Sequence, residues 1–304
     1  MTTFRHRPVL LEETIELLDV RPGGLYVDGT LGRAGHAGAI TAKGGRVLGI
    51  DRDDQALADV SAMGIGGLTV AKGNHGDLRA IAEAHGWTGV DGVLLDLGVS
   101  SPQLDDASRG FSFQHEGPLD MRMDRSQGLT AADLVRGEDA GRLEEIFRRW
   151  GEEPNARRIA RALVAAREKG ERFETTESLS QFVERLVGRR GGHHPATRVF
   201  QALRMEVNDE MGELRRALEG ALAVLRPGGR LAVITFESLT DRETKRFFAA
   251  HVGREVSLQA GGSRWEGELP RARAVTRKAV VAGDGELAVN PRSRSAKLRA
   301  IEKE

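Results

Sequence analysis

The feature that most constrains this chain is an alternation of strands and helices that stops once and then resumes. Residues 25–28, 46–51, 68–71 and 90–96 read as short apolar strands, separated by helical stretches at about 34–43, 53–62 and 76–86. Strands spaced by single helices imply βαβ units and a parallel sheet. The next strand, 230–236, lies more than 100 residues further on. It follows an amphipathic helix with Leu214, Leu218, Leu222 and Leu225 on one face, then a Pro227-Gly228-Gly229 turn. A gap of that length is not a loop in a compact domain. It carries helical patterns of its own: Ile159, Leu163 and Ala166 share a face up to Gly170, and Leu179, Phe182 and Leu186 mark another helix. The expected fold is α/β: a Rossmann-like, mainly parallel twisted sheet built from 1–106 and 206–304, with a mainly helical domain, 107–205, inserted in it.

Composition removes several chemistries. The chain has no cysteine, which excludes disulfides, thiolate-bound metal and the Cys nucleophile usual in enzymes that methylate a pyrimidine ring carbon. It has no apolar run of about 18 residues and no signal-peptide pattern at its start, so no membrane partner and a cytoplasmic location are expected. Net charge is zero, so nucleic acid would have to be met by local patches and not by a global field. Residues 271–304 carry nine basic against four acidic side chains, and read as either a solvated tail or such a patch. Adjacent histidines at 193 and 194 lack the cysteine or spaced acid that would make a metal site, and no metal is expected.

The turn after the first strand is the most informative. Glycines at 29, 32 and 35 let the backbone bend sharply and approach a ligand just before a helix begins. Their spacing is Gly-x-x-Gly-x-x-Gly, whereas a dinucleotide site uses Gly-x-Gly-x-x-Gly to seat a pyrophosphate. Asp28 ends the strand, where a carboxylate would repel pyrophosphate but suit S-adenosylmethionine, which carries an ammonium and a sulfonium. Asp51 ends the second strand, 23 residues on, at the place where an acid accepts hydrogen bonds from ribose hydroxyls. Asp96 ends the fourth strand, beside the expected cofactor. Methyltransferases acting on exocyclic amines place an Asp or Asn and a tight turn at this point. The amine of cytosine is conjugated with its ring, and an acceptor holding its N–H favours a more nucleophilic nitrogen. Alignment of that nitrogen with the methyl supplies much of the rate. No Tyr follows Asp96 to stack on a base, which leaves Phe111, Phe113 and Phe236 for that role. An NAD-dependent oxidoreductase on the same sheet, a non-catalytic RNA-binding protein and a DNA methyltransferase are the competing readings.

Several stretches together resemble one family. They are His6-Arg-Pro-Val-Leu-Leu-Glu-Glu13, Asp28-Gly-Thr-Leu-Gly-Arg-Ala-Gly-His36, Gly49-Ile-Asp-Arg-Asp53, Leu95-Asp-Leu-Gly-Val-Ser-Ser-Pro-Gln-Leu-Asp105, Arg109-Gly-Phe-Ser-Phe113, Pro118-Leu-Asp-Met-Arg-Met-Asp124, His194-Pro-Ala-Thr-Arg-Val-Phe-Gln-Ala-Leu-Arg204 and Asn290-Pro-Arg-Ser-Arg-Ser-Ala-Lys-Leu-Arg299. In this order, spanning nearly the whole chain, they resemble the bacterial MraW family of 16S ribosomal RNA cytosine-N4 methyltransferases. The resemblance implies a class I methyltransferase domain with an inserted substrate-recognition domain. It implies S-adenosylmethionine contacts at Ala34, Gly35, His36, Asp51, His75, Asp96 and Gln103, and a cytidine in the decoding region of 16S rRNA, in the small ribosomal subunit, as acceptor. It raises the expectation of RNA contact at Arg292, Arg294, Lys297 and Arg299. Arg198 and Arg204, on an expected helix with Phe200 and Leu203 in its core, are equally placed to face phosphate or water. A cleft between the domains receiving a flipped base is expected, and a homodimer is left open. Three positions depart from the family pattern: Ala34 stands for a usual Gly, His75 for a Phe and Glu237 for a His.

Overall fold

A computed structural model of the chain describes residues 8–126, 128–189, 194–258 and 262–304. His6, Arg7 and His193 of the motifs above lie outside the described residues. The chain divides into two compact units, 1–98 with 211–304, and 99–210. The inserted unit therefore begins eight residues before, and ends five residues after, the bounds drawn from sequence.

The first unit opens with α1 (Leu11–Leu17) and runs β1 (Leu25–Asp28), α2 (Gly35–Ala42), β2 (Arg46–Asp51), α3 (Asp54–Met63), β3 (Leu68–Lys72), α4 (Leu78–Ala84) and β4 (Val90–Asp96). The second holds α5 (Ser101–Asp105), α6 (Ala131–Gly137), α7 (Ala140–Gly151), α8 (Ala156–Glu168), α9 (Thr176–Val187) and α10 (Thr197–Val207). The chain then returns through α11 (Glu210–Val224), β5 (Leu225–Thr235), α12 (Ser238–Val252), β6 (Arg254–Ser257), β7 (Ser263–Glu266), β8 (Ala272–Ala274), α13 (Asp284–Val289) and β9 (Lys297–Lys303).

Seven strands form one sheet in the order β3-β2-β1-β4-β5-β9-β8, with β6 and β7 a separate hairpin. The first five strands pair in parallel; β9 joins β5, and β8 joins β9, antiparallel. Val47, Leu48 and Ile50 of β2 and Val93, Leu94 and Leu95 of β4 are buried, as strands covered on both faces must be. Each such side chain contributes about 1.5–3 kcal/mol by leaving water. Chain order reverses between β1 and β4, and open α/β sheets bind ligands at the carboxyl ends of strands at such a switch.

One expectation is corrected by the fold, and one of two open readings falls. Pro227-Gly228-Gly229 does not separate helix from strand; it forms an irregularity inside β5, where Leu225 pairs with Val90 and Arg230 with Gly92. The C-terminal segment is not a solvated tail. Leu298, Ala300 and Ile301 are buried, and Lys303 Nζ donates to the carbonyls of Leu222 and Leu225 at 2.7 and 2.6 Å, closing the end of α11.

The second unit has a helical core of its own, including Leu143, Ile146, Phe147, Ile159, Leu163, Leu179, Phe200 and Leu203. Its helices start where their sequence dictates. Thr130 with Asp133 and Thr175 with Ser178 form reciprocal caps at the starts of α6 and α9. Asn208 holds the connecting segment, accepting from Met123 N and donating to the Met121 carbonyl, both at 2.8 Å.

Candidate active site

Three adjacent strands of the sheet, β2, β1 and β4, each end in an aspartate: Asp51, Asp28 and Asp96. The glycine turn closes over them. Gly29 N donates to the Leu94 carbonyl, and Thr30 ties two strand ends together. Its amide donates to Asp28 Oδ1 at 3.1 Å, and its hydroxyl accepts the Asp96 amide at 2.6 Å. Gly32 N donates to Asp51 Oδ2 at 2.8 Å, so the turn is anchored on the second acid, whose other oxygen accepts the Asp53 amide. Ala34 caps α2 at φ 58°, a left-handed conformation in which its β-carbon costs about 1–2 kcal/mol; this is why glycine suits the position. At Gly35 a β-carbon would lie 2.3 Å from Pro8 Cγ, so only glycine lets the N-terminal segment cross there.

The three acids are unequally supplied with donors. Asp28 is 1% exposed, and burial, partly offset by the nearby His36, pushes its carboxyl up to about 6. Burial alone pushes Asp96 up to about 7. Its Oδ1 is buried without a hydrogen-bond partner, and its Oδ2 faces His36 Nδ1 at 3.7 Å, beyond hydrogen-bonding distance. Asp51 is raised mainly by burial, against the two backbone N–H groups it accepts. His36, in the first turn of α2, is 5% exposed; Nε2 meets the Val9 carbonyl at 3.0 Å and burial lowers its pKa.

His75 sits over the start of the turn, its Cβ 3.6 Å from where a β-carbon on Gly29 would be. Burial, with Arg52 and Arg216 nearby, takes its pKa down to about 3, so its ring is neutral at any physiological pH. Phe236, at the end of β5, faces Gly98 in the turn after Asp96. Phe111 and Phe113 instead belong to the core of the inserted unit, where Phe113 packs on His194 and Phe200 with ring centres 4.5 and 5.0 Å apart.

Other sequence-derived residues are placed differently. Gln103 lies in the inserted unit, where its Oε1 accepts the Ser100 amide and caps α5. Arg204 forms a two-pronged pair with Glu210 at 2.7 and 2.9 Å. Lys297 and Arg299 both bond Asp241 of α12, at 3.1 and 2.7 Å. These three cations serve as internal ion pairs, because a nearby carboxylate satisfies each. Arg198, Arg292 and Arg294 are exposed, and Arg198 Nη1 reaches the Glu152 carbonyl at 3.2 Å. Glu237 Oε2 is buried at the start of α12.

The acids of α7, and Glu153 just beyond it, are engaged away from the basic side chains of α8. Glu144 pairs with Arg148, Glu145 with Arg142 and Arg149, and Glu153 holds Asn155. Among the described residues, Arg157, Arg158 and Arg161 consequently stand exposed and without an acidic partner, lining one concavity with Pro154, Asn155 and Ala162. Counting charges along the sequence could not separate them, because pairing depends on which face each side chain occupies. Among the described residues no group of acids and histidines could hold a metal, and no helix is long and apolar enough to cross a membrane.

A parallel sheet whose three central strands end in carboxylates around a glycine turn defines a class: an α/β enzyme that binds a cationic nucleoside cofactor, as methyltransferases do. The model of the MraW methylase family matches residues 3–304, and the chain belongs to that family. It is 46% identical over 323 residues to the ribosomal RNA small subunit methyltransferase H of Symbiobacterium thermophilum, covering 99% of this chain and 97% of that one. It is 48% identical to the proteins of the same name from Methylobacterium nodulans, at 98% and 90% coverage, and Deinococcus deserti, at 98% and 93%. The chain is an S-adenosylmethionine-dependent methyltransferase. Its donor set fits that cofactor. Three carboxylates, one of them with a buried oxygen left without a donor, suit an ammonium and a sulfonium, and would repel a pyrophosphate.

Proposed function

We propose that the chain transfers the methyl group of S-adenosylmethionine to the exocyclic N4 of a cytidine in the decoding region of 16S rRNA, with Asp96 holding the amine. The observation that carries this reading is the Asp96 carboxyl. It ends the strand at the switch point, accepts no hydrogen bond and is buried at one oxygen. A carboxyl left without donors inside a protein is costly unless a ligand supplies them, and an amine carries two N–H groups.

The bound cofactor supplies an electrophilic methyl on a sulfonium. The chain's residues divide the remaining work. Asp28, Ala34, Gly35 and His36 form the wall of the adenosyl pocket, Asp51 accepts from ribose hydroxyls with the lone pairs its two backbone donors leave, and His75 offers a neutral ring to adenine. Asp96 draws on the amine N–H, which loosens the conjugation of the nitrogen lone pair with the ring. Phe236 is the aromatic at the sheet's carboxyl end suited to stack on the base. The inserted unit recognises RNA, whose phosphates meet Arg157, Arg158, Arg161 and Arg198, while Arg292 and Arg294 add contacts from the first unit.

The test uses small ribosomal subunits from a deletion strain and labelled donor, followed by mass spectrometry of the nucleosides. N4-methylated cytidine is expected. Label on another nucleoside, or on DNA and not RNA, contradicts the proposal.

A further inference from the structure

The amine of the acceptor must lose a proton when it gains a methyl, and the structure shows where that proton can rest. The Val9 carbonyl can only accept, so at 3.0 Å it fixes the proton of a neutral His36 on Nε2. The lone pair on Nδ1 then points toward Asp96 Oδ2 at 3.7 Å. Two acceptors thus face one another inside the protein, an arrangement that favours one shared proton. We propose that His36 is a positioning residue for proton removal: its Nδ1, held unprotonated by Val9, receives the O–H of Asp96 once Asp96 has taken the proton of the methylated amine.

This rests on the cytidine-N4 reading. The nitrogen lone pair forms the N–CH3 bond while the electrons of the S–CH3 bond stay on sulfur. The N–H bond then breaks, its electrons returning to nitrogen and its proton passing to the Asp96 carboxylate. Asp96 closes on Nδ1 and later releases the proton to water, since its side chain is 26% exposed. The other charged groups around the pair are all acids: Asp28 on β1, beyond it Asp51 on β2, and Glu286 on α13, whose Oε1 accepts the Leu10 amide. Among the described residues no lysine or arginine pairs with Asp96. Burial raises the proton affinity of Asp96 and lowers that of His36, so the proton taken from the amine rests on Asp96 and is only shared with Nδ1.

Two substitutions separate the functions of the imidazole. His36→Asn keeps an acceptor near the Nδ1 position and loses the bond to Val9. His36→Gln keeps a donor near the Nε2 position and loses the acceptor toward Asp96. In the free protein, nitrogen-detected NMR of labelled histidine is expected to show His36 neutral and protonated at Nε2 at pH 8. An Nδ1–H tautomer, or an imidazolium there, overturns the proposal whether or not any RNA is methylated. In methyl transfer to small subunits at saturating donor, His36→Gln should lower kcat about tenfold, the worth of one hydrogen bond. The acid limb of its pH profile should move to lower pH, because protonated Asp96 has lost its acceptor. His36→Asn should keep a limb close to the parent's. Loss of donor affinity with an unmoved acid limb in His36→Gln would show His36 to be a wall of the cofactor pocket and nothing more. If the parent protein methylates no cytidine while the NMR result holds, the functional reading fails and the tautomer assignment survives.

Discussion

Asp96 and Asp241 are both withdrawn from water in the same unit of the molecule, and they are treated in opposite ways. At the end of β4, Asp96 accepts no hydrogen bond and burial pushes it up to about 7. On α12, burial also raises Asp241, but hydrogen bonds from Arg299 and Lys297 of β9 outweigh it and hold the carboxyl below its ordinary value. The carboxyl end of β4 leaves its acid without a donor, while β9 at the antiparallel edge neutralises Asp241. Asp120 in the inserted unit follows the second pattern, with burial overcome by Arg122, which bonds both oxygens at 2.8 and 2.9 Å. A buried acid supplied with cations belongs to the framework. One left without them is suited to a donor that arrives with the ligand.

The comparison can be broken most forcefully at Asp96. Asp96→Asn should reduce methyl transfer at least about 100-fold, the usual worth of a positioned acid–base group. It should nevertheless be the more stable protein at pH 8, by about 1–2 kcal/mol, and equal to the parent near pH 4. Folding raises the Asp96 pKa, so the native state holds a proton that the unfolded chain releases, and stability falls as pH climbs from about 4 to about 7. Urea denaturation across that range measures the difference between the two proteins.

Asp241→Asn should do the reverse, costing about 2 kcal/mol of stability at pH 7 because it strands Arg299 and Lys297, while each folded molecule methylates as before. The depressed pKa of Asp241 makes its contribution present above about pH 4 and lost as pH falls further. An equal loss of activity per folded molecule would mean that the pair serves the site and not the framework.

What could be read from the sequence follows the same division. The parallel strands were legible because Val, Leu and Ile runs end in a glycine or an acid, and the helix faces of the insertion because Ile159, Leu163 and Leu179 recur at helical spacing. The antiparallel edge was not. In 297–303 the alternation of Leu298, Ala300 and Ile301 with charges reads as a basic tail until Asp241, Arg230 and Arg273 supply partners from distant parts of the chain. Of the site, the three strand-end acids and the glycine turn were visible. The absence of donors around Asp96 was not, because it depends on what every neighbouring element fails to supply. Nor could sequence show that Arg204, Lys297 and Arg299 are internally paired while Arg157, Arg158 and Arg161 are not.

The smallest effect should come at Ala34. Ala34→Gly relieves a left-handed alanine but gives up a buried methyl and frees the unfolded chain. These terms nearly cancel, so thermal unfolding should register a change within about 1 kcal/mol. A larger loss would mean that the methyl is an essential part of the packing under α2.

The most direct measurement is a carbon-detected NMR titration of the Asp96 side-chain carboxyl in the free protein. A midpoint near 7 is expected, moving lower when S-adenosylmethionine brings its positive charge into the site. A midpoint near 4, unmoved by the cofactor, would contradict this expectation, for Asp96 would then be as well served with donors as any surface carboxylate.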